Sequence, residues 1–161
     1  MNKASISEDA TERVTMTGAE FIDRFERGAV AADSFHHADH VCLAFAYLSR
    51  YPALVALERF VAALKSFAAA LGKPDRYHET VTHAYFFLIR ERIARSGATD
   101  WEAFARDNPD LLVWKDGILC RYYNQKTLES DLARRIFVFP DKSNFNLDKP
   151  SLSPDKSTPC V

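Results

Sequence analysis

Helix stops recur at short intervals along the N-terminal part of this chain, and they constrain its fold more than any other feature. Gly28, Pro52, the Gly72-Lys73-Pro74 triplet and Gly97 each follow a segment with helical character. Connections this short between amphipathic helices favour antiparallel neighbours in one bundle. Thr17 and Glu20 have capping-box spacing, so a first short helix starts there, with Phe21 and Phe25 on one face. Asp33-Ser34 supplies two good cap residues for a second helix running to Tyr51. Pro52 fits the first turn of a third helix, ALVALERFVAALKSFAAAL, whose apolar stripe is Leu57, Val61, Leu64 and Ala68. The loop KPDRY leads to a fourth helix ending at Gly97, and DWEAFARD reads as a fifth, stopped by Asn108-Pro109.

Further on, LLVW and ILCRYY flank Asp116-Gly117, which predicts either a short β-hairpin near residues 111–123 or buried turns. TLESDLARRIF reads as helical again. The expected fold is mainly α, a compact bundle of about five to six helices. Residues 1–16 are expected to be a flexible segment and 17–141 the helical domain. Residues 142–161, with Pro150, Pro154 and Pro159, are expected to be an extended or disordered tail.

Composition excludes several classes. A net charge of −1 argues against a nucleic-acid binder, which needs a basic face. No apolar run is long enough to span a membrane, and the start has no secretory apolar region. The three cysteines, Cys42, Cys120 and Cys160, include no C-x-x-C pair, so neither a disulfide framework nor a zinc knuckle is indicated. A cytoplasmic setting is the expectation.

All five histidines fall in two patches, FHHADHV at 35–41 and YHETVTH at 77–83. In an up-down-up arrangement the second and fourth helices run parallel, so both patches lie at one end of the bundle. His37 and His40 are i, i+3 neighbours on the face that continues into the apolar stripe, while His36 looks outward. His78 heads a stripe with Val81, Tyr85 and Leu88, and His83 falls on another side. Glu79 sits in the first turn, where the helix dipole favours a carboxylate. Cys42 lies about 200° around the helix from His40 and is not counted as a ligand.

Imidazoles from two helices beside a carboxylate are the materials of a metal site. His37, His40, His78 and Glu79 are the candidate ligands of a divalent transition metal (Fe, Zn, Mn or Cu). Glu79 and His78 are the candidate catalytic residues, with Glu79 either a fourth ligand or a general base. The bland reading stands beside it, because a histidine at a helix start is more often a cap or a packing residue. Arg76-Tyr77 and Arg121-Tyr122-Tyr123 are weaker candidates for holding an anionic or aromatic ligand.

The sequence FHHADHVCLAFAYL followed by RYHETVTHAYFFLI resembles a family of small bacterial helical proteins. Their pattern is F-x-H-x-x-H-x-x-x-A-x-x-Y-L, then Y-H-E-T-x-T. It falls here on Phe35, His37, His40, Ala44, Tyr47 and Leu48, then on Tyr77, His78, Glu79, Thr80 and Thr82. RYYNQKTL and FVFPD are similar to that family's C-terminal part. The resemblance implies the same inward residues and implies no substrate. Three functions follow as expectations. One is a small metalloenzyme acting on a small molecule, oxygen-activating or hydrolytic. Another is a metal-free enzyme using His and a carboxylate as an acid–base pair. The last is a non-catalytic small-molecule-binding or interaction module.

Overall fold

A computed structural model describes residues 16–142. Of the segments expected to be flexible (1–16) and extended or disordered (142–161), residues 1–15 and 143–161 lie outside the described residues. Seven α-helices follow in order among the described residues: α1 Gly18–Glu26, α2 His37–Arg50, α3 Ala53–Ala70, α4 Glu79–Ser96, α5 Trp101–Asp107, α6 Gln125–Leu128 and α7 Asp131–Arg135. Four single turns of 3₁₀ helix connect them, at Ala32–Ser34, Pro74–Arg76, Pro109–Leu112 and Ile118–Arg121. The fold is mainly α, and the described residues contain no strand.

Local chemistry sets most helix ends. Thr17 and Glu20 form the reciprocal cap of α1, with the Thr17 N–H donating to Glu20 Oε2 at 2.7 Å and the Glu20 N–H to Thr17 Oγ1 at 3.3 Å. Asp100 caps α5 and Ser130 caps α7 through side-chain oxygens. Gly28, Gly72 and Gly97 all take left-handed φ near the ends of α1, α3 and α4.

Two expectations need correction, and one left with two alternatives is decided. Asp33-Ser34 does not start the second helix. The Ser34 hydroxyl donates to the Ala31 carbonyl within a 3₁₀ turn, and Phe35 is extended so that its ring packs against Phe25 and Phe67. The helix begins at His37 instead, where the Asp39 carboxylate accepts from the His36 N–H at 2.8 Å. The stripe of α3 is also rotated. Ala56, Phe60, Ala63, Leu64 and Ala68 are buried, whereas Leu57 and Val61 are half-buried at its margin. Finally, residues 111–123 form turns and not a hairpin. Asp116 is left-handed at φ 53°, and a Cβ on Gly117 would stand 2.2 Å from the Val113 carbonyl oxygen, so the chain folds tightly back on itself there.

The core lies where α2 packs against α1, α3 and α4. Leu43, Tyr47, Ala56, Phe86, Ile89 and Leu111 are wholly buried in it. No helix among the described residues is long and apolar enough to cross a membrane.

Candidate functional site

The first turns of α2 and α4 open onto one cavity of about 470 Å³. His37 and His40 come to it from α2, and His78, Val81 and Thr82 from the start of α4. Phe35, Phe60, Leu64 and Phe67 form much of its apolar wall. Such a volume is in the range of small-molecule sites. Three histidines from two patches some forty residues apart thus line one cavity, because two helix starts sit at the same end of the fold.

The three cavity imidazoles are held differently. His37 Nε2–H donates to the Leu111 carbonyl at 2.9 Å, which leaves Nδ1 as a lone pair. His40 Nδ1–H donates to the His36 carbonyl at 2.9 Å, which leaves Nε2 as a lone pair. His78 uses both nitrogens: Nε2–H donates to the Leu128 carbonyl at 2.7 Å, and Nδ1 accepts from the Val81 N–H at 3.3 Å as the cap of α4. Its geometry is that of a fastener.

Burial sets the charge of the other two. Removal from water pulls the His40 pKa below its ordinary value, and His37 nearby adds to this, against the His36 carbonyl and Asp39. Burial also lowers the pKa of His37, partly offset by the Leu111 carbonyl. Both rings are therefore neutral at pH 7. His40 packs on Phe35 at 4.2 Å between ring centroids, and His37 on Tyr85 and Trp114 at 4.8 and 5.2 Å. Tyr85 is buried in the same wall, with its pKa pushed up to about 12 mainly by loss of solvent.

Glu79 is not part of the cavity lining. Its carboxylate meets Lys65 Nζ at 3.2 Å and His83 Nε2 at 3.7 Å. His83 in turn donates from Nδ1 to the Glu79 carbonyl and packs on Phe137. His36 is exposed. The set His37, His40, His78 and Glu79 does not fit a single metal ion, since His78 has no spare nitrogen and Glu79 is directed elsewhere. No group of three or more His, Cys, Asp or Glu among the described residues has metal-binding geometry.

Two residues carry more than their sequence suggested. Thr80, wholly buried in the first turn of α4, donates its hydroxyl to the Ile136 carbonyl at 2.8 Å and accepts from the Val138 N–H at 3.0 Å. It clamps the extended segment after α7 onto α4. Tyr77 places a buried hydroxyl beside Glu79 and Thr82 without hydrogen-bond geometry to either, the one such orphan among the described side chains. Burial, with Glu79 adding to it, raises the Tyr77 pKa, so the phenol keeps its proton. Comparison with known families, with curated proteins and with solved structures finds no match for this chain.

Proposed function

We propose that this protein is a small-molecule enzyme in which neutral His40 acts as a general base at the wall of an apolar cavity. The observation that carries this reading is the His40 hydrogen-bond pattern. One nitrogen is fixed by a main-chain carbonyl, so ring and tautomer are set, and the other keeps an unshared pair. A fixed neutral imidazole in a site lined by apolar groups can accept a substrate proton and return it later in the reaction. The Tyr85 phenol, kept protonated by burial in the cavity wall, is available as a hydrogen-bond donor to a developing negative charge.

A metal-dependent version of this reading would rest on His37 and His40, each of which keeps one lone pair at the cavity. His78 and Glu79 would then serve as scaffold in place of ligands. Elemental analysis of protein purified without a histidine tag separates the two versions.

The test of catalysis is turnover. Untagged protein is incubated with pooled small organic compounds, and consumption is followed by mass spectrometry. His40→Gln keeps an amide donor for the His36 carbonyl but has no basic nitrogen. It should bind the same compounds, keep its melting temperature and lose roughly 10²-fold or more in rate. An unchanged rate would remove His40 from the mechanism. Binding without any turnover by the wild type would leave a binding module.

A further inference from the structure

We infer that the occupant of this cavity is an amphipathic organic acid, with its apolar body among the phenylalanines and its carboxylate at Lys73 and Arg76. This rests on the cavity being the substrate site. Lys73 precedes and Arg76 ends the short 3₁₀ turn between α3 and α4, and both line the cavity. Both are exposed, and neither has a carboxylate partner among the described residues. The neighbouring cation Lys65 is already engaged by Glu79, and Asp75, between the two, is not part of the lining.

Inside this basic edge the walls are apolar, and the two half-buried histidines are uncharged. An anion would therefore find its attraction at the edge, while a bare cation would find none there. Apolar burial within and a charge pair at the water boundary together define an amphiphile with one acidic end. At about 470 Å³ the cavity is of small-molecule size, enough for decanoate.

Trp114 supplies the reporter. It lines the cavity, rests on His37 and is 62% exposed, so a ligand will remove it from water. Trp101, the second tryptophan, packs against Phe45 and Phe104 and is not part of this lining. Trp101→Phe protein titrated with decanoate should show a saturable blue shift, with decanol binding more weakly. A Lys73→Ala, Arg76→Ala double variant should weaken decanoate about tenfold and leave decanol unchanged, since two solvent-exposed ion pairs are worth about that much.

Val81→Phe and Ala68→Phe each fill the cavity, and either one that keeps a cooperative melt serves as control. Both should abolish the shift. Equal binding of decanol and decanoate, or a double variant that binds decanoate as the parent does, overturns the acid assignment and leaves the cavity reading intact. No shift with either ligand, or a shift that survives in the filled variants, overturns both.

Discussion

His78 gives one ring nitrogen to the Leu128 carbonyl and the other to the Val81 N–H, so its loss strands two main-chain groups at once. His78→Ala should cost about 1–3 kcal/mol in urea denaturation, the usual penalty for leaving buried polar groups unpaired. His78→Asn restores a strong helix cap and should recover part of that loss. His36→Ala is the comparison, since its ring is exposed and its main-chain N–H still donates to Asp39 when the ring is removed. A His78→Ala protein as stable as His36→Ala would remove the fastening role. Glu79 follows the same logic of direction. One residue along a helix turns a side chain by about 100°, enough to carry Glu79 off the face that His78 presents. That rotation places its carboxylate on Lys65 and His83.

At the scale of elements, the long helices are tied down by segments that are not themselves regular helix. The extended stretch after α7 is held by Thr80 on one side and by the Tyr123 hydroxyl, which donates to the Val138 carbonyl at 2.9 Å, on the other. Thr80→Val keeps the shape and removes both hydroxyl bonds. It should lower stability by about 1–3 kcal/mol and make residues 136–142 the first site of limited proteolysis. Unchanged cleavage kinetics would show that the clamp holds nothing. The turn at 113–117 depends on Gly117 in a different way, through space. Gly117→Ala would drive a methyl into the Val113 carbonyl, so the turn must open and Trp114 must leave His37. Lower Trp114 fluorescence anisotropy in the Trp101→Phe background is the expected readout, and an anisotropy equal to the parent's would show that the turn absorbs the methyl.

For the molecule as a whole, the two neutral histidines make stability depend on pH with a definite sign. His37 and His40 have folded-state pKa values below the unfolded value of about 6.5. Between pH 7 and 5 the unfolded chain therefore takes up protons that the folded chain refuses, and stability falls as pH falls. The melting temperature should drop across that window, and a His37→Gln, His40→Gln double variant should flatten the drop. Asp141, whose pKa is lowered chiefly by Thr127 and Asn124, acts below it, in the carboxylate range.

Reading along the chain reached the bundle because helix stops are local events: a glycine at positive φ ends a helix wherever it stands. His37, His40 and His78 line one cavity, and helical periodicity with short loops is the local information that bears on such a placement. Such reading could not reach the start of α2, which is set by burying Phe35 against α1 and α3, or the role of Thr80, whose partners are more than fifty residues away.

Those distances also set an order of assembly. The bonds His37–Leu111, His78–Leu128 and Thr80–Ile136 join residues 74, 50 and 56 positions apart. When the chain is made from its N-terminus, the first turns of α2 and α4 emerge well before the carbonyls that tie them down. The apolar faces of α2, α3 and α4 can meet early, since closing the loops between them is entropically cheap. The histidine end of the bundle must wait for Leu111, Leu128 and Ile136, so its fastening comes after the helices that carry it have been made.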